Sequence, residues 1–212
     1  MKMTTPITFE PMQPIYHQQV GRLLAYLLHG KFRHLTSIAS DELALFFELW
    51  LEQVPDLPGN RRMIALQGGE IVGTIAIKWL TQSSSSASIK RQKSPSWQSI
   101  HRFGRWNLFK IRIGLSLFDY KPQAGECYIA DVVVHPDYRG QGVGKLLLRW
   151  AEQFVQQEPG VDRLSLYVSG KNLRARKLYE QLGFNVRSHE NSLVWHWLFN
   201  EKEWSYMWKR LK

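Results

Sequence analysis

The sequence predicts an α/β fold, and three of its segments carry that expectation. From Ile129 to Val134 the residues are almost all apolar and end in three valines, as in a buried strand; from Val143 onward Leu146, Leu147, Trp150, Ala151 and Phe154 recur at helical spacing. From Arg163 the chain alternates with period two, Leu164, Leu166 and Val168 against Ser165 and Tyr167, then enters a helical stretch that Asn172 can cap and Gly183 can stop. Earlier, Met63 to Leu66 and Ile71 to Leu80 flank Gly68-Gly69, the signal of a tight hairpin.

The other elements fall in order around these. Ile7 to Phe9 can open the sheet, and Val20 to Leu28 and Asp41 to Val54 read as helices, with leucines or aromatics three and four residues apart. Ile100 to Phe118 has Arg102, Arg105, Arg112 and Ser116 on one side and Phe103, Leu108, Ile111, Leu115 and Phe118 on others, a helical pattern that Gly104 and Gly114 weaken. Two late strands are expected near Asn185 to Arg187 and Ser205 to Leu211. Periodicity leaves "SLVWHWLFNEKEW" open between helix and strand.

The turn "RGQGVG" between the first strand and its helix is the chemical clue. Gly140, Gly142 and Gly144 stand where the first helical turn must form, although glycine costs about 1 kcal/mol against alanine in a helix. A bound phosphate supplies a reason: without Cβ atoms the backbone can approach an anion, and the unpaired N–H groups at the helix start point toward it. Arg139 and Lys145 add positive charge there. The spacing excludes a P-loop, because Lys145 is followed by Leu146, and a dinucleotide fingerprint, because the order is G-x-G-x-G.

Arg139, Gly142 and Gly144 resemble the acyl-CoA signature R/Q-x-x-G-x-G/A of the GNAT N-acetyltransferase superfamily. The second segment resembles the family independently, through Asn172, Tyr179 and Leu182-Gly183-Phe184. The resemblance implies a mixed central sheet flanked by helices, with acetyl-CoA as co-substrate and an amine as acceptor. It assigns the coenzyme pyrophosphate to the turn, through Arg139, Gly140, Gln141, Gly142, Val143, Gly144 and Lys145, with Asn172 as a further contact. It also makes Ile129–Val134 a coenzyme strand that splays from its neighbour, so that Val132, Val133 and Val134 line the pantetheine and the N–H of Val134 polarises the thioester carbonyl.

Tyr179 holds the family's general-acid position, and a phenol with an ordinary pKa near ~10 can serve a departing thiolate of ~8.5. Read alone, a tyrosine on a helix is more often a core residue, and it is the motif that favours the catalytic role. The base is less defined. Some family members carry a glutamate where Tyr128 stands here; Glu126, two residues earlier on the same strand face, is the candidate, acting directly or through water, against a reading as an exposed strand-end charge. Strict alternation places Asp131 on the other face. His135 and His196 lack partners at metal-ligand spacing, so no metal is implied.

Composition frames this reading. A chain of 212 residues is expected to form one domain, 1–212, with an insertion at 81–121 ahead of the coenzyme strand. The insertion opens with Ser83 to Ser86; from Thr81 to Phe118 it has no acidic residue and seven Lys or Arg, much of the net charge of +10. A solvated basic face over the acceptor cleft, peripheral membrane contact and nucleic-acid contact stand as its readings; no nucleic-acid module accompanies it. The single cysteine, Cys127, excludes an internal disulfide and reads as a small buried residue. With no signal-like apolar run, the expected location is cytoplasmic. A homodimer is compatible with the sequence. A non-catalytic acyl-CoA-binding or scaffold protein is the alternative to an enzyme: Tyr179 favours catalysis, and Tyr128 in place of glutamate favours the other.

Overall fold

The computed structural model describes residues 5–32, 39–52, 58–81, 107, 111, 120–191 and 201–212. Strand β1 (Ile7–Pro11) is followed by helices α1 (His17–Phe32) and α2 (Ser40–Leu51), then by strands β2 (Asn60–Gln67) and β3 (Glu70–Trp79). Strand β4 (Glu126–Val134) leads through the glycine turn to α3 (Val143–Gln157), and β5 (Arg163–Ser169) leads to α4 (Leu173–Gln181). Strands β6 (Asn185–Asn191) and β7 (Glu203–Arg210) close the order. The seven strands form one mixed sheet, β1-β2-β3-β4-β5-β7-β6, antiparallel except where β4 meets β5.

The segments expected from the sequence form as read. Gly68 and Gly69 take φ of 60° and 85°, which lets β2 and β3 reverse in two residues. Helix α3 buries Val143, Leu147, Leu148, Ala151, Phe154 and Val155 because these fall on one stripe of a 3.6-residue period. Of the expected helix at Ile100 to Phe118, only Asn107 and Ile111 are described; both lie in helical backbone, and Ile111 is buried against α1 and α2. Of the remainder of the segment 81–121 only Thr81, Tyr120 and Lys121 are described, and residues 192–200 lie outside the described residues.

Two cores lie on the two faces of the sheet. Helices α1 and α2 pack Val20, Leu24, Leu43 and Phe47 onto Ile64, Leu66, Ile71 and Val133. Helices α3 and α4 cover the other face, where Leu147, Leu148 and Val155 meet Ile75, Ile77, Ile129, Leu164, Leu166 and Met207. Cutting a fully buried leucine such as Leu147 to alanine removes its transfer energy and leaves a cavity, at a cost of about 2–5 kcal/mol.

One irregularity reorders the middle of the sheet. Ala76 pairs with Asp131 and Ile77 with Ile129, so Ala130 is an extra residue, a bulge in β4. The bulge resets the alternation, and Asp131 comes to the same face as Tyr128 and Glu126, the α1–α2 face. Simple alternation, which placed Asp131 opposite, is corrected here by that one residue. Arg62 on β2 meets Asp131 on this face in a two-pronged ion pair of 2.7 and 2.6 Å, and also bonds Thr74 Oγ1.

Candidate active site at a split in the sheet

Strands β4 and β5 pair only at Glu126, Cys127 and Tyr128, opposite Arg163, Leu164 and Ser165. Beyond Tyr128, β4 stays bonded to β3 as far as Val134, while β5 stays bonded to β7 as far as Ser169. Their facing edges therefore part into a V with Tyr128 at its apex. His135 N donates to Val72 O across β3, at 2.9 Å. Antiparallel alternation then turns the N–H and C=O groups of Val132 and Val134 toward the open edge. Consistently, Val134 O is free of β3 and accepts from Arg139 Nε at 3.4 Å. An open strand edge is what an extended amide-bearing ligand can pair with.

The glycine turn stands at the mouth of this V. Pro136–Tyr138 forms a single 3-10 turn, Gln141 Nε2 donates to Asp137 O at 2.9 Å, and Gly140 and Gly142 take φ of 83° and 84°. The first helical bond of α3 runs from Leu146 N to Gly142 O, which leaves the amides of Val143, Gly144 and Lys145 as the unpaired donors of a helix start. A Cβ on Gly142 would meet nothing within 4 Å, so the turn presents bare backbone to open space. A Cβ on Gly144 would touch Leu178 and Val134 at 3.5 and 3.6 Å, which shows how closely α4 and β4 seat against the helix. Lys145 is exposed beside the turn. These residues fit a pyrophosphate: free amides, a helix dipole and an adjacent cation converge on one open spot. Arg139 is directed toward α1, its guanidinium 4.9 Å from the centre of the Tyr26 ring.

Tyr179 packs on the α3–α4 face, its ring 5.9 Å from that of Phe184. Gly183, with φ of 85°, ends α4 there, and Phe184 N returns to Tyr179 O at 3.0 Å. Burial alone pushes the Tyr179 phenol up to about 12, so it stays protonated through the physiological range. Asn172 caps α4, its Oδ1 accepting from Ala175 N at 3.2 Å.

Glu126 is not an exposed strand-end charge: it is fully buried. Its Oε1 accepts from Tyr206 OH at 2.7 Å and from the Ser165 hydroxyl, and its Oε2 accepts from Gln123 N at 2.7 Å and Tyr120 OH at 3.1 Å. Tyr120, Tyr128, Tyr167 and Tyr206 form one aromatic group around it, with ring centres 4.5 to 6.3 Å apart. Register places Tyr128, Ser165, Tyr167 and Tyr206 on the face opposite Tyr179. The sequence reading missed Tyr120, Ser165 and Tyr206 as site residues. The polar phase of β5's alternation is the signal that could have pointed to Ser165; nothing local joins it to Tyr206.

The remaining candidates have structural roles. Cys127 is buried, and desolvation raises its thiol further from ionisation. His135 Nδ1 accepts from Asp137 N at 3.3 Å within its turn. No group of three or more metal-ligating side chains occurs among the described residues, and none of their helices is long and apolar enough to cross a membrane.

Comparison with known proteins bears on the family and the fold. The family model described as Acetyltransferase (GNAT) family matches residues 32–184. The chain is 43% identical over 70 residues to a mycothiol acetyltransferase of Propionibacterium freudenreichii, covering 33% of this chain and 21% of that protein. It is 38% identical over 74 residues to a thialysine N-epsilon-acetyltransferase of Bos taurus, covering 34% and 43%. It thus spans less than half the length of either relative. Among solved structures, an acetyltransferase of the GNAT family from Streptococcus pneumoniae aligns with a TM-score of 0.56 at 18% identity, covering 98% of this chain and 100% of that one. A spermidine N-acetyltransferase from Vibrio cholerae aligns at 0.61 and 12%, covering 97% and 94%. At such identities the structural likeness speaks to the fold.

Proposed function

The chain belongs to the GNAT acetyltransferase family, and from that premise we propose that it transfers the acetyl group of acetyl-CoA to a primary amine of a small molecule or peptide by direct attack. The observation that carries the reading is the open β4 edge running into an unpaired, glycine-built helix start: one site offers an amide-pairing edge and an anion pocket in sequence, as the two halves of coenzyme A require.

Acetyl-CoA supplies an activated thioester, and the chain supplies the rest. The amides of Val143, Gly144 and Lys145, with the Lys145 ammonium, hold the pyrophosphate; Gly140, Gln141 and Gly142 let the backbone approach it. Val132 and Val134 present their edge groups to the pantetheine while Val133 anchors the strand in the α1–α2 core. The Val134 N–H polarises the carbonyl. Tyr179 donates a proton to the leaving sulfur from the α3–α4 side. Burial that raises its phenol also raises a thiolate formed beside it, so the two stay close enough for transfer. Glu126, on the other face, is the final acceptor of the amine proton.

The test is a panel of amines and peptides assayed for acetyl-CoA-dependent thiol release, with mass spectrometry of the acceptor. An N-acetylated product in step with the thiol is expected. Thiol release without an acetylated amine would point to thioester hydrolysis and overturn the reading. The basic insertion is assigned to acceptor access, because it precedes β4 and contributes no part of the glycine turn. Replacing Ser83 to Ser96 by a short linker should leave acetyl-CoA affinity within a few-fold and change acceptor preference.

A further inference from the structure

Two carboxylates stand on the α1–α2 face of β4, and they are treated in opposite ways. Asp131 is pinned by both prongs of the Arg62 guanidinium. Glu126 is surrounded by neutral donors alone: three hydroxyls and one backbone N–H fill both its oxygens. Among the described residues no Lys, Arg or His is paired with it. Its four hydrogen bonds come from groups without charge, and no cation competes there for a proton handed on through one of the hydroxyls. Yet it is fully buried, so no acceptor amine reaches it directly. The hydroxyls bonded to it offer a proton a route inward. Ser165 is as buried as Glu126, whereas Tyr206 and Tyr120 are half-buried and keep some contact with solvent. Of these two, Tyr206 makes the shorter bond, 2.7 Å against 3.1 Å.

We propose that Tyr206 is a catalytic residue: its oxygen takes the proton of the attacking nitrogen while its own hydroxyl proton passes to Glu126 Oε1, with Tyr120 and Ser165 as positioning residues. The inference rests on the amine-acetylation reading above. The C–N bond forms and the C–S bond breaks; the nitrogen's proton ends on Glu126 by way of Tyr206, which returns to the neutral phenol. The departing thiolate takes the Tyr179 proton from the opposite face. Glu126 then releases its proton to solvent, and Tyr179 regains one, so the cycle closes with amide and thiol as the only products. The groups facing Glu126 are Tyr120 from the chain before β4, Tyr128 on β4, Ser165 and Tyr167 on β5, and Tyr206 on β7, with the Cys127 thiol next to it in the chain but on the opposite face. Asp131 and Glu190 lie beyond them, facing Tyr128 and Tyr167. These groups are neutral or acidic; the nearest cations by strand register are Arg163, opposite Glu126, and Lys78, opposite Tyr128.

Tyr206→Phe keeps the ring and removes the relay atom. Once an acetylated amine is in hand, kcat should fall about 10²–10⁴-fold, and the limb of the pH–rate profile that reports ionisation of the base should vanish, with acetyl-CoA affinity by calorimetry unchanged. Tyr120→Phe should cost tenfold or less and keep that limb. Adding Glu126→Gln to Tyr206→Phe should cost little more than the single change; if Glu126→Gln does not fold, the two tyrosine variants decide alone. Infrared difference spectra of the ligand-free protein should show Glu126 as a carboxylate at neutral pH. An active Tyr206→Phe enzyme with the wild-type pH profile, or a Glu126 carboxyl protonated at neutral pH, overturns the relay while leaving acetylation standing. A protein that binds acetyl-CoA and acetylates no amine overturns the acetylation reading and the relay with it.

Discussion

The two faces of the β4–β5 split are built from different materials. On the α3–α4 face the coenzyme site is, apart from the Tyr179 phenol, backbone: the amides of one continuous turn, Gly140 to Lys145, and the edge groups of Val132 and Val134 in the strand just before it. On the α1–α2 face the site is side chains brought from Tyr120, Glu126, Ser165 and Tyr206, the first and last far apart in the chain. A backbone site tolerates changes of side chain but not of conformation, because its donors exist only while the glycines keep φ near 84°. A side-chain network behaves the other way. Removing one hydroxyl is expected to leave the fold and, on the proposed relay, to change the proton's route. Coenzyme binding should therefore be sensitive to shape and charge at the turn, and proton transfer to single oxygen atoms.

The largest effect that would break this division is in the turn. Gly142→Glu puts a side chain and a negative charge into the open space at the helix start and forces a non-glycine residue to φ of 84°. Circular dichroism should show a folded protein, and calorimetry one that has lost acetyl-CoA binding.

Tyr179→Phe comes next. It keeps the packing against Phe184, so stability and coenzyme affinity should hardly change while kcat drops about 10²–10⁴-fold. The same variant has a pH signature. The native phenol lies near 12 against an ordinary 10, so the folded state holds the proton longer than the unfolded one. That contribution is complete below pH 10 and is lost as pH rises toward 12, so wild type should lose more stability than Tyr179→Phe across that window in denaturant titrations.

The Arg62–Asp131 pair sharpens the comparison from the side of the bulge. Its side chains are 10% and 19% exposed, and Arg62→Met alone strands a mostly buried carboxylate at a cost of about 3 kcal/mol. Arg62→Met with Asp131→Leu should recover much of that stability in urea titrations. If the pair also fixes the bulge that turns Val132 and Val134 to the open edge, the double variant should regain stability without regaining full acetyl-CoA affinity.

What the sequence disclosed follows the same division. The glycine turn, the β5–α4 unit and the Gly68-Gly69 hairpin each lie within one short segment, where spacing and composition carry the information, and all three form as expected. The position of Asp131 was not legible, because Ala130 takes one residue out of the alternation and nothing in its identity marks a bulge. Glu126 could be singled out as a carboxyl near the apex, yet its burial and its partners depend on β5 and β7 lying side by side. Residues 39 and 80 positions away supply two of its bonds, and no local pattern encodes such a meeting.

The central claim is that coenzyme A is held by the glycine-built start of α3 beside the open edge of β4, and titration calorimetry of acetyl-CoA into wild type and Gly142→Glu tests it most directly. The account requires saturable binding by wild type and none by the folded variant. Equal affinity in the two proteins would contradict it and place the coenzyme elsewhere.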